Sequence, residues 1–155
     1  MKLEGPVEVV FDTSVIIGAI LESLGEEKGS SRIALNSLIK HCNHTLRILE
    51  DIRKECREHF NIAGFHSNLM LKVLLGQLEP ENKIKKISYR PEDINLEVSV
   101  PEHDRHVAEA AVAVKGKRKG ITVCLVTKNL RHFRPEEWRK KHKISVLSPE
   151  EYVAP

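Results

Sequence analysis

The residues best suited to chemistry in this chain are acids that stand where packing alone would not put them. The apolar run Val9-Val10-Phe11 stops at Asp12. Two hydroxyl residues, Thr13 and Ser14, follow before an apolar stretch resumes with a different period. This reads as a buried strand ending in a carboxylate, with a helix beginning at once. In open α/β sheets ligands bind in the crevice at the carboxyl ends of the strands, so Asp12 is placed to act as a metal ligand or acid–base group. Asp104 lies three residues before Val107, on the side of a helix whose apolar stripe is Val107, Ala111 and Val114. An acid beside such a stripe is costly unless something compensates it. Interaction with the helix N-terminus would do so, but Glu102 serves that end equally well. Glu55 borders the apolar edge Ile52, Cys56 and Phe60. The simpler account of it is an exposed acid pairing with Arg53, Lys54 or Arg57. The run Val123-Cys124-Leu125-Val126 ends in Thr127-Lys128-Asn129, so polar side chains again follow a strand. Thr127 can orient a ligand or a water there. Asn129 either offers a carbonyl oxygen or caps the next turn.

Clustered carboxylates repel one another and need a cation when ionised. Oxygen donors of this kind suit Mg²⁺ or Mn²⁺. Such an ion, held with open positions, activates water and neutralises a phosphodiester transition state.

The elements that must position these groups alternate between strand and helix. Strands are expected over residues 7–11, 45–49, 121–126 and 144–147, with an edge strand over 84–89 and a short element over 93–98. Helices are expected over 14–24, capped by Ser14, and from Ser30 or Ser31 to 41. Further helices are expected over 51–60, 67–78, and 101–114 with Gly116 as the stop. Short turns of helix follow from Asn129, over 136–141 and over 149–152. This alternation predicts an α/β fold, a three-layer α/β/α sandwich around a mostly parallel sheet. The 155 residues suffice for one domain with a proper core, and the whole chain, 1–155, is read as one.

Composition narrows the function classes. With 41% hydrophobic and 30% charged residues the chain should fold and stay in solution. No apolar run reaches membrane-spanning length, and the first residues are too polar for a secretory signal, which predicts a cytoplasmic protein with no membrane partner. Three cysteines, Cys42, Cys56 and Cys124, form no framework and read as reduced, mostly buried thiols. Residues 115–143 hold eleven Lys or Arg against two acids, a surplus of nine. From a total of +3, the rest of the chain therefore carries −6. That asymmetry suits a nucleic-acid-binding face, or a plain solvated surface. Aromatic content of 5% offers no evident platform for stacking bases.

Several chemistries are excluded. There is no Gly-rich turn leading to Lys-Ser/Thr, and no dinucleotide fingerprint. A haloacid-dehalogenase-like phosphatase would need a second aspartate where Ser14 stands. His41-Cys42-Asn43-His44 and Cys56-Arg57-Glu58-His59 hold zinc-ligand atom types, but their spacing fits no structural zinc pattern. His103 and His106 flank Asp104 and could meet substrate phosphate; ordinary surface histidines explain them as well.

Taken in order, these segments resemble the PIN-domain ribonuclease family over nearly the whole chain. Val10-Phe11-Asp12-Thr13-Ser14 looks like its first acidic motif, and Ile52-Arg53-Lys54-Glu55-Cys56 is similar to its helical glutamate. The stretch from Asp104 to Ala111 looks like its third acidic position with the small-residue helix that follows. Leu125-Val126-Thr127-Lys128-Asn129 resembles the last strand motif, and Leu147 to Tyr152 the usual ending. The resemblance implies a metal-dependent ribonuclease, often dimeric, and many members are VapC-type toxins held by an antitoxin. On that reading Asp12, Glu55 and Asp104 are the catalytic metal ligands for Mg²⁺ or Mn²⁺. Thr13, Ser14, Thr127 and Asn129 support them. Lys128, Arg131 and the 115–119 cluster, with Lys117 and Arg118, contact RNA. The implied partners are RNA, an antitoxin protein and a second copy of the chain. Asn129 stands where the family commonly has an aspartate, which motivates the alternative of a catalytically weakened module that binds RNA or protein.

Overall fold

The computed structural model describes residues 5–25, 29–41, 43–49, 54–56, 58, 76, 83–117 and 120–154. Five strands form one all-parallel sheet: β1 (Val7–Phe11), β2 (His44–Ile48), β3 (Ile84–Lys86), β4 (Thr122–Val126) and β5 (Ser145–Leu147), in the order β3-β2-β1-β4-β5. The central position of β1 explains its composition. A strand covered on both faces needs a continuous apolar run, and all five of its residues are buried. The one polar member, Glu8, is matched by the neighbouring strand, where the Arg47 guanidinium donates two hydrogen bonds to its carboxylate, at 3.0 and 3.1 Å. On β2 burial alternates instead. Edge strand β3 has only three residues, which limits the pairing surface it offers.

Helices α1 (Thr13–Leu24) and α2 (Ser30–Lys40) connect β1 to β2. Helix α3 (Arg105–Lys117) leads into β4, and α4 (Leu130–Phe133) and α5 (Pro135–Lys141) connect β4 to β5. The chain moves one way across the sheet from β1 to β3 and the other way from β3 to β5. Right-handed crossovers in opposite directions put their helices on opposite faces, giving the three-layer α/β/α sandwich. Accordingly α3 packs on β1 and β4, and α2 packs against α1 and the final helix α6 (Pro149–Val153). That last helix is closed by a capping box: Ser148 Oγ accepts from the Glu151 amide, and Glu151 accepts from the Ser148 amide, both at 3.1 Å. The largest fully buried side chains, among them Phe11, Leu38, Leu46, Leu125, Phe133 and Trp138, come from strands and helices of both layers. Among the described residues no helix is long and apolar enough to cross a membrane.

Several expected boundaries move. Helix α1 begins at Thr13, so Asp12 rather than Ser14 takes the cap position. The edge strand expected over 84–89 stops at Lys86; a 3-10 turn stands at Pro91–Asp93, where Pro91 sets the first dihedral, and residues 94–98, expected as a short element, form neither helix nor strand. A second 3-10 turn, Glu102–Asp104, stands where a continuous helix from Pro101 was expected. Gly116 does not stop α3, which continues through Lys117; glycine permits termination without imposing it. Strand β2 starts at His44, one residue early, while β4 and β5 each start one residue late. The helix expected over 67–78, and most of that over 51–60, lie outside the described residues; Lys54–Cys56, Glu58 and Gly76 are helical.

Candidate functional site

The sheet order makes β1 and β4 neighbours at the point where the chain reverses direction across the sheet, which is where α/β sheets open a crevice. Asp12 and Thr127 stand side by side there. The Asp12 amide donates to the Val126 carbonyl at 2.9 Å, and the Thr127 amide donates to that of Leu147 at 2.9 Å. Asp12 is 5% exposed, and its side chain does not cap α1 although it occupies the cap position. Its Oδ2 instead accepts from Thr127 Oγ1 at 2.8 Å and from Ser14 Oγ at 3.1 Å. A cap contributes about 1 kcal/mol. This aspartate leaves that role unused and has its carboxylate held by two hydroxyls. Thr127 Oγ1 in turn accepts from the Asn129 amide at 3.0 Å. Asn129 occupies the cap position of α4, yet its side chain makes no capping hydrogen bond.

Glu55 links two parts of the site. Its Oε2 accepts from Thr13 Oγ1 at 2.9 Å, and its Oε1 lies 3.0 Å from His106 Nε2. The ring nitrogen is close enough for an ion pair when protonated, but its N–H direction is off the line of a hydrogen bond. Glu55 thus spans from the residue after Asp12 to the first turn of α3, two residues beyond Asp104. A cleft of about 340 Å³ opens here, lined among the described residues by Lys54, Glu55, Glu58 and His106. Beneath it the Cys56 thiol is pushed up to about 12 by burial first, then by the Glu55 and Asp12 carboxylates. Cys56 therefore stays a neutral thiol, as does Cys124, whose pKa burial raises further. Of the Cys and His pairs set aside as zinc ligands on their spacing, Cys42 and His59 lie outside the described residues.

Asp104 ends the 3-10 turn before α3 and is 3% exposed. Its Oδ2 lies 3.0 Å from His132 Nδ1 and 3.3 Å from His103 Nε2. The two rings meet edge to face, with centroids 5.6 Å apart. Sequence reasoning did not single out His132. It sits on α4, 28 residues from Asp104, and its one sequence signal is its place three residues after Asn129.

Among the described residues, the acids, histidines and cysteines close enough to share an ion are His103, Asp104 and His132, whose ligand atoms lie within 4.8 Å of one another; Asp12, Glu55 and Asp104 do not form such a group. Among the described residues neither Asp12 nor Asp104 meets a lysine or arginine, so hydroxyls and imidazoles surround them instead of a fixed positive charge. The candidate phosphate contacts lie in different places. The Lys128 ammonium runs over α1, where a Cβ on Gly18 would come within 2.5 Å of Nζ. Lys117 is exposed and donates to the Ser88 carbonyl at 3.3 Å, and Arg131 is exposed on α4. Arg118 lies outside the described residues.

No known family model matches this chain, and no curated protein matches it. Among solved structures it is similar to a chain in the crystal structure of VapBC2 from Rickettsia felis bound to a DNA fragment from their promoter. The match has 14% sequence identity and a TM-score of 0.55, and covers 91% of this chain and 98% of that one. At that identity the two share a fold.

Proposed function

We propose that the chain is a divalent-metal-dependent ribonuclease of PIN-like fold, the toxin of a toxin–antitoxin pair. The observation that carries this reading is the bridge Thr13–Glu55–His106. It links the residue after Asp12 to the residue two beyond Asp104, beside a cleft lined by Glu55 and His106. Asp12, Glu55 and Asp104 hold Mg²⁺ or Mn²⁺, directly or through water. The bound ion supplies an activated water and offsets the charge that develops on the phosphodiester. Ser14 and Thr127 fix Oδ2 of Asp12 and so orient the carboxylate that would hold the ion. Thr13 orients Glu55 in the same way. Asn129, with its side chain uncommitted to the cap, orients ligand or water. Lys117, Arg118, Lys128 and Arg131 supply positive charge toward RNA phosphates. An antitoxin partner and a second copy of the chain belong to the same proposal, supported by the fold shared with a chain of the VapBC2 complex.

A catalytically weakened module that binds RNA or protein is the second reading. The neutral side chain at Asn129 favours it. Cleavage of end-labelled single-stranded RNA with Mn²⁺, set against EDTA and against Asp12→Asn, decides between them. Cleavage that requires both metal and Asp12 supports the nuclease. Folded parent protein that cleaves no faster than Asp12→Asn sinks it and leaves the binding module.

A further inference from the structure

We propose that His103, Asp104 and His132 bind a divalent transition ion that prefers imidazole nitrogen, of the zinc, nickel and cobalt type, in addition to the carboxylate-held ion of the nuclease site. The two sites share Asp104. The proposal rests on the nuclease reading only for the use to which such an ion is put.

Three observations carry it. First, both separations from the shared carboxylate oxygen match a common metal centre, and the third donor pair lies within 4.8 Å. Ligands about 2.1 Å from an ion stand about 3.0 Å apart at right angles and about 3.4 Å apart in a tetrahedron. The imidazole nitrogens of His132 and His103 stand 3.0 and 3.3 Å from Asp104 Oδ2, and the three donor atoms all lie within 4.8 Å of one another. Second, the residues are brought together from separate elements. Asp104 and His103 come from the turn before α3, and His132 from α4 beyond β4. The His103 side chain is 69% exposed and free to face solvent, yet it turns to a carboxylate that is itself buried. Third, among the described residues Asp104 meets no lysine or arginine. Two imidazoles, which are metal ligands when neutral, are its partners. Two nitrogens and one carboxylate oxygen favour the later first-row ions over Mg²⁺, which takes oxygen donors. Three protein ligands leave positions for water or a phosphate oxygen.

The competing account is that both imidazoles simply donate N–H hydrogen bonds to Asp104. Titration of the metal-free, tag-free protein with Co²⁺, followed by its visible d–d absorption and by displacement with Zn²⁺, separates the two. In excess Mg²⁺, which fills the carboxylate-held site, we expect one Co²⁺ per chain, displaced by Zn²⁺. His103→Ala and His132→Ala should each bind at least about tenfold more weakly, while Asp12→Asn binds as the parent does. The exposed His103 carries the test even where His132→Ala fails to fold. Absence of Co²⁺ binding in the parent, undiminished binding in His103→Ala, or loss of binding in Asp12→Asn overturns the assignment. Co²⁺ binding without RNA cleavage leaves this site standing and removes the nuclease. Mn²⁺-dependent cleavage without Co²⁺ binding does the reverse.

Discussion

The sharpest quantitative prediction concerns His44, at the start of β2, because its protonation is linked to folding. The residue is 5% exposed. Its Nδ1 lies 2.7 Å from the Tyr152 hydroxyl of α6, and its ring stacks on His41 with centroids 4.6 Å apart. Lys83 Nζ donates to the His44 carbonyl at 3.1 Å and also to that of His41. Burial, together with the nearby positive charges of His41 and Lys83, lowers the imidazole from 6.5 to about 4. Burial also raises the Tyr152 phenol, so we assign its hydroxyl as donor and the neutral imidazole as acceptor. The folded state thus keeps His44 neutral over a range where the unfolded chain protonates it. Stability from this group is fully present above pH 6.5 and is lost as pH falls toward about 4. With these two values and 1.36 kcal/mol per pH unit, the loss is about 1.4 kcal/mol at about pH 5.5 and about 2.5 kcal/mol at about pH 4.5. Against a typical total of about 5–15 kcal/mol, that is a large fraction. Urea unfolding, followed by fluorescence of the fully buried Trp138 at several pH values, measures it. Other groups titrate over the same range, so the diagnostic quantity is the difference between the parent and His44→Gln, whose side-chain oxygen can still accept from Tyr152. That difference should shrink by about 2.5 kcal/mol between about pH 7.5 and about pH 4.5. Parallel pH profiles for the two proteins would refute the argument.

Two further outcomes test the proposed site. Thr127→Val keeps shape but removes the donor to Asp12 Oδ2 and the acceptor for the Asn129 amide. It should lower unfolding free energy by about 1.5–3 kcal/mol and slow Mn²⁺-dependent RNA cleavage, with Thr127→Ser restoring most of both; a Val variant as stable and active as the parent would show that the hydroxyl holds nothing. If Lys117, Lys128 and Arg131 all contact phosphates, the slope of log affinity against log salt for single-stranded RNA should be at least about −2, and Lys117→Ala should reduce it by about 0.7. A flat salt dependence would mark the basic segment as solvated surface.

How much of this was legible in the sequence depended on whether an element's character is set by its own residues or by its neighbours. β1 and β4 could be read because central strands of a parallel sheet are covered on both faces, which leaves a nearly continuous apolar run, broken in β1 only by Glu8. The inward position of Asp104 could be read from helical period, although the residue sits in a 3-10 turn, since the turn leads straight into α3 and preserves the side it faces. The segment around 84–98 could not be read. Its conformation depends on distant contacts: Lys83 on the carbonyls near β2, the Ile87 amide on the Ile48 carbonyl, and the Tyr89 hydroxyl on the His106 carbonyl. Residue composition within the segment records none of these.

The same distinction explains which candidate residues stand out in the sequence and which do not. Asp12, Glu55 and Asp104 are visible because each is an acid at an apolar edge, a conflict contained within a few residues. Thr13 and Ser14 follow from their adjacency to Asp12. His132 has no such local conflict; it lies on a four-residue helix among other polar residues, and only the folding of α4 toward the turn before α3 brings it to Asp104. Asn129 was equally open as a cap and as a site residue. The geometry removes the cap, because its backbone amide is held by Thr127 while its side chain does no capping; its role at the site is the proposal. On the proposed reading the acids carry the chemistry within local sequence, whereas the imidazoles that would select the ion enter only through the fold. A change at His132 should accordingly alter ion preference while leaving the acidic sequence motifs untouched.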